Sequence, residues 1–142
     1  MWCNRYELKT CLAGRLEYNK DLIEEITSYC EKENITNGYF SVLGALKCAK
    51  LGFYNQSKQQ YEIKNLDKTL EIVNCYGNIS IKDCKPFAHI HLVVSDSEYN
   101  CFGGHAMPGC TIFAGEIFLI ETKGPTLTRT FDDITSLYLW QK

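Results

Sequence analysis

The chain carries three histidines, His89, His91 and His105, and all fall within one seventeen-residue stretch. The first two lie inside Phe87-Ala88-His89-Ile90-His91-Leu92-Val93-Val94, a run of aromatic, aliphatic and β-branched residues that reads as a strand. Strand side chains alternate with period two, so both imidazoles project from one face. The chain then crosses a polar segment, residues 95–100, and returns through Gly103-Gly104-His105. A hairpin of that length brings the third imidazole back beside the first two. Three converging neutral imidazoles make a metal site of the open kind: zinc takes the nitrogens at roughly 2.0–2.1 Å and keeps a fourth position for water or a ligand. Nickel, copper and iron also accept imidazole, so the donor set alone leaves the metal open. One histidine on a buried strand is more often a hydrogen-bonded core residue. The clustering of every histidine at hairpin spacing is what points to a metal.

Other groups could serve such a site. An acid inside an apolar strand is costly unless paired or ligated, which singles out Glu71 and Glu116. Either could orient an imidazole or move a proton at the open position. Either could instead lie on an exposed face or pair with Arg15 or Arg129. Arg15 could clamp an anion, since guanidinium matches carboxylate bidentately. Cys101 and Cys110 flank the third histidine, and a thiolate there would close the site.

The elements that must position these groups form one domain. A chain of 142 residues is long enough to bury a true core. Net charge is −2 and the sequence pI about 5.9, with lysines scattered among acids and amides. A basic stripe for gripping nucleic acid is missing, so direct DNA binding is not expected. Eight cysteines would suit a disulfide framework, but they include no C-x-x-C pair and Met1–Glu7 holds no apolar leader segment. Free thiols acting as small hydrophobes in a reducing cytoplasm are expected. No run of about 18 apolar residues is present to span a membrane.

Residues 6–16 read as an opening strand. Asp21 followed by Glu24 has capping-box spacing, and Leu22, Ile23, Ile26, Tyr29 and Cys30 recur with helical period, so a helix is predicted to end near Glu33. From Tyr39 onward the pattern is mostly β. Strands are predicted over 39–43, 45–53, 58–63, 70–75, 79–82, 87–94, 111–121, 126–131 and 137–140. Gly44 and Tyr76-Gly77-Asn78 read as breaks between them. The fold class is α+β, a single domain with a mostly antiparallel sheet and few helices.

Taken together, Leu51-Gly52-Phe53-Tyr54, Leu70-Glu71-Ile72, Gly77-Asn78-Ile79, Pro86-Phe87-x-His89-x-His91, Gly103-Gly104-His105 and Glu116 resemble the plant and prokaryote conserved (PPC) domain family, over about residues 15–140. The resemblance implies a compact α+β homotrimer with a metal, usually zinc, on His89, His91 and His105. It also implies that Leu70-Glu71-Ile72-Val73 is an interface or site-edge strand. The AT-hooks of plant members have no counterpart in this sequence, and Ala106 stands where leucine commonly follows the histidine. The fold and histidine arrangement are also similar to those of acetolactate decarboxylase, an analogy that does not carry the reaction across. Two functions follow as expectations. One is a trimeric, cytoplasmic metal-binding module with a regulatory or ligand-sensing role, associated with DNA only through partners. The other is a zinc-dependent lyase or hydrolase for a small anionic carbonyl compound. In that case Glu71 or Glu116 would move protons and Arg15 or Arg129 would hold the carboxylate.

Overall fold

A computed structural model describes residues 1–141. Its elements are β1 (Glu7–Leu16), α1 (Leu22–Lys32), β2 (Gly38–Asn55), β3 (Gln60–Leu66), β4 (Leu70–Lys82), β5 (Lys85–Ser95), β6 (Cys101–Ala106), β7 (Thr111–Lys123), β8 (Arg129–Asp132) and β9 (Leu137–Trp140). All ladders between these strands are antiparallel, in the order β1-β7-β2-β4-β5-β6 with β3 on β2. β6 returns to pair with β2 through Leu51–Ala106 and Gly52–His105, so the sheet curls and closes on itself. The α+β, mostly antiparallel expectation holds, with one helix.

Two expected breaks are strand interior. β2 and β4 are each continuous, running straight through Gly44 and Gly77. At Gly44 the backbone has φ +138 and sits against the Ala114 carbonyl, where a Cβ would collide. At Gly77 a Cβ would strike the His89 carbonyl oxygen and the Phe40 ring. Both glycines mark close approach of neighbouring elements within a curved sheet, which local sequence does not distinguish from a turn.

Alternation places the core. On β5, Ala88, Ile90, Leu92 and Val94 are buried while His89 and His91 take the other face. Burying each large aliphatic side chain contributes about 1.5–3 kcal/mol. Helix α1 lays Leu22, Ile26 and Cys30 onto this core. Asp21 caps it by accepting from the Ile23 and Glu24 N–H groups, and its second oxygen accepts from Gly109 and Cys110 at 2.7 and 3.0 Å. That carboxylate therefore ties the helix to the loop leading into β7. All eight cysteines are free thiols. No helix among the described residues is long and apolar enough to cross a membrane.

Candidate metal centre

The β5–β6 hairpin sets the register of the site. Asp96, nearly buried, accepts from the Glu98 and Asn100 N–H groups at 3.0 Å each and from Lys68 at 2.6 Å. The turn it organises places His105 directly opposite His91, with the Tyr76 position of β4 on the other side of His91. His89 is one pleat further along, paired with Asn78. The three imidazole centroids stand 5.0–5.6 Å apart, and one nitrogen from each ring lies within 4.8 Å of the others. Nitrogens around a tetrahedral zinc are about 3.3 Å apart, so the set would draw in by up to roughly 1.5 Å to hold one.

Burial prepares two of the three rings as ligands, His91 being exposed. It pushes the His89 pKa down to about 4, helped by Arg129 and the other two histidines. His105 is likewise pushed to about 4 by burial, then by His91 and Arg129. Both rings are neutral near pH 7, the form that binds a metal. The His105 Nδ1 is buried and has no hydrogen-bond partner. A buried nitrogen in that state needs one, and a metal ion or a molecule bound there supplies it. The donor set and this orphaned nitrogen fit a metal.

The surroundings of the triad are cationic. A hairpin, β8–β9, lies across the site: its start runs beside β4 through the Ile81–Thr128 bridge, and its turn is held by Gln59 and Tyr54. From it Arg129, only 9% exposed, donates to Ser80 Oγ at 2.8 Å, Asn78 Oδ1 at 2.9 Å and the Tyr138 carbonyl at 3.1 Å. Its fourth contact is with His89 Nδ1 at 3.2 Å. Guanidinium can only donate, so Nδ1 accepts and the neutral ring carries its proton on Nε2. Metal-binding histidines more often give their second nitrogen to a carboxylate or a carbonyl. Two hollows adjoin the rings. One of about 240 Å³ lies under the hairpin, and one of about 330 Å³ opens on the His91 side beside Tyr39, Tyr76 and Trp140.

The other residues singled out in the sequence lie elsewhere. Glu71 is exposed and pairs with Ser95, four residues beyond His91, where it borders a groove with Ala45 and Phe113. Glu116 and Arg15 are exposed cross-strand neighbours on β7 and β1, and β7 is three strands from β5. Arg15 also lines a hollow of about 120 Å³ against α1. Cys110 is buried and contacts the Lys50 and Met107 carbonyls, while Cys101 is exposed at the start of β6. Sequence reasoning missed Tyr61, whose ring lies 5.2 Å from His105, and Lys82, on the wall of the hollow under the hairpin. Tyr61 is brought in by the long-range pairing of β2 with β6, whereas Lys82 stands at the end of the local β4–β5 hairpin, opposite Lys85.

Comparison with known proteins agrees with this fold. The family model of the Plants and Prokaryotes Conserved (PCC) domain matches residues 5–123, beginning earlier than the resemblance read from sequence and ending before the β8–β9 hairpin. The chain is similar to the metal-containing protein AF0104 from Archaeoglobus fulgidus, at 36% identity and a TM-score of 0.94, over 100% of both chains. It is similar to a plant- and prokaryote-conserved (PPC) protein from Pyrococcus horikoshii, at 31% identity and a TM-score of 0.94, over 100% of this chain and 98% of that one. It is also 29% identical over 123 residues to the bifunctional protein GlmU of Synechococcus sp. (strain JA-3-3Ab). That match takes in 85% of this chain and 18% of the relative, so the chain spans less than a fifth of the length of the curated relatives it matches. The chain belongs to the plant and prokaryote conserved domain family.

Proposed function

We propose that this chain is a metal-binding module that holds one divalent transition-metal ion, zinc foremost, on His89, His91 and His105. The observation that carries the reading is the convergence of one nitrogen from each of three imidazoles within 4.8 Å, from two paired strands. Neutral nitrogen donors suit zinc, and a three-ligand set keeps an exchangeable position. The metal would supply Lewis acidity to whatever binds there. The metal-containing Archaeoglobus relative adds support. Glu71 and Glu116 stand away from the triad, so ligand sensing or regulation is favoured over acid–base catalysis. Elemental analysis tests the reading. About one equivalent of zinc per chain is expected in the native protein and none in His91→Ala. A native protein that stays folded yet refuses added zinc removes it.

The module acts as a cytoplasmic homotrimer in this proposal. By register, Phe118, Ser41, Tyr76, His91 and His105 form one row across a single face of the sheet. Phe118, Tyr76 and the nearby Tyr39 are exposed there, the kind of apolar face that neighbouring copies cover. Sedimentation equilibrium should give three times the chain mass, and a monomer at micromolar concentration would remove the assembly. Contact with DNA, in this reading, runs through a partner chain.

A further inference from the structure

Arg129 makes four hydrogen bonds with its five N–H groups, and none of them meets an opposite charge. Its partners are a hydroxyl, an amide oxygen, a carbonyl and an imidazole, all neutral. Among the described residues it makes no ion pair with an acid within 4 Å. Buried charges are ordinarily paired, because a neutral hydrogen bond replaces only part of what water gives an ion. The hollow of about 240 Å³ beside it is lined by a second cation, Lys82, together with Tyr61, Phe87 and Tyr138, and by no aspartate or glutamate. Lys82 Nζ stands 4.1 Å from the Tyr138 ring centroid and 5.4 Å from that of Phe87, and among the described residues it too makes no ion pair within 4 Å. Arg129 faces the same Phe87 ring at 5.5 Å. Among the described residues, two cations therefore share one aromatic-walled hollow with the histidines, and no carboxylate lines it.

We infer that this hollow is an anion site, in which Lys82 and Arg129 together take a small organic dianion bearing carboxylate or phosphate groups. The aromatic rings supply the walls for its carbon skeleton. Guanidinium accepts a carboxylate or phosphate bidentately, and the ammonium group adds a mobile point charge. The grip of Lys82 and Arg129 stands by itself, while contact between the anion and a metal rests on the reading of the triad given above. The two readings support each other at His89. If His89 gave Nδ1 to a metal, Arg129 would have to leave that nitrogen, and if it gave Nε2, the ring proton would sit on Nδ1, which could then no longer accept from Arg129. Either way an Arg129 N–H is released from His89 as positive charge is added, and the demand for an anion rises.

Calorimetric titration with malonate and, separately, inorganic phosphate tests the site, on native protein both metal-free and zinc-loaded, and on Lys82→Met and Arg129→Gln. Arg129 also pins the hairpin, so Lys82→Met is the variant that decides if Arg129→Gln fails to fold. The expected result is binding to the native protein that weakens about tenfold or more in Lys82→Met, with its zinc content unchanged. Preference for malonate over phosphate, or the reverse, separates the two headgroups. Binding dependent on Lys82 in a protein that refuses zinc would uphold the anion site and defeat the metal reading. No binding of either anion up to about 10 mM in either form, or equal binding by native protein and Lys82→Met, overturns the proposal.

Discussion

Two of the three histidines, His89 and His105, and the buried cysteines are shaped by the same loss of water, with opposite chemical results. At the triad, burial disfavours the charged imidazolium and leaves His89 and His105 as neutral rings with a lone pair to give. Beneath the sheet, burial disfavours the charged thiolate. It pushes Cys30 and Cys75 up to about 12 and Cys110 to about 11, with Glu121 adding to the effect at Cys30. The thiolate is the nucleophile and the ligand, so these cysteines are inert packing groups. One environment makes ligands of the residues that bind metals when neutral and silences those that bind as anions. Of the eight cysteines, the three buried ones are silenced in this way, while half-buried His89 and His105 keep a lone pair to give.

The widest separation this comparison predicts is in thiol reactivity. Site-resolved labelling of the native protein should modify exposed Cys84 and Cys101 quickly. Cys30, Cys75 and Cys110 should react only through opening of the structure, roughly 10³-fold more slowly or less. Comparable rates across the two groups would end the contrast. Next in size is metal retention. His105→Ala should lose zinc affinity by about a hundredfold or more, read by competition with a chromogenic chelator, while Cys110→Ala keeps it within a few-fold. Loss of zinc in Cys110→Ala with the fold intact would mean that the thiol belongs to the site.

A smaller effect is expected inside the core. Cys30 is fully buried, so Cys30→Ser puts a hydroxyl where an apolar thiol packs and should cost about 1–3 kcal/mol in urea unfolding. Cys3→Ser, at an exposed position, should stay within about 0.5 kcal/mol of the parent. Equal midpoints for the two variants would show that Cys30 is not the packed hydrophobe its environment describes.

How much of this was legible in the sequence depends on the range over which each feature is decided. The triad was, because period-two alternation and hairpin length are local rules that place His89, His91 and His105 without knowledge of the rest. The capping role of Asp21 was legible too, but not its second bond set to Gly109 and Cys110, made by a residue pair 88 and 89 positions away. Gly44 and Gly77 misled because a glycine permits a turn and a close approach equally well, and only the neighbouring strand decides which. The surroundings of the triad were the least legible. Arg129 reaches Asn78, Ser80 and His89 across 40 to 51 residues, from a hairpin whose own sequence gives no sign of what it covers.

Asp96 provides the subtlest test of the comparison, since it is a nearly buried ionisable group whose shift runs against burial. Its hydrogen bond from Lys68 lowers the pKa most, burial opposes this, and the Asn100 and Glu98 N–H groups lower it further. The carboxyl is held at about 2 against an ordinary 3.8. A depressed pKa contributes stability that is present above 3.8 and lost as the pH falls through about 2, because the unfolded chain takes up the proton first. The melting temperature of the native protein should therefore fall across that window, and Asp96→Asn should flatten part of the fall. Lys68 is half exposed, so raising the salt concentration should shrink the difference between the two proteins without abolishing it, the backbone bonds being less screened. Because this turn sets His105 opposite His91, Asp96→Asn should also weaken zinc binding, by less than removal of any ligand. Parallel melting curves for the two proteins down to pH 2 would show that the hairpin holds its register without the carboxylate. Partner bonds would then not outweigh burial at this position, and the contrast between histidines and thiols would rest on loss of water alone.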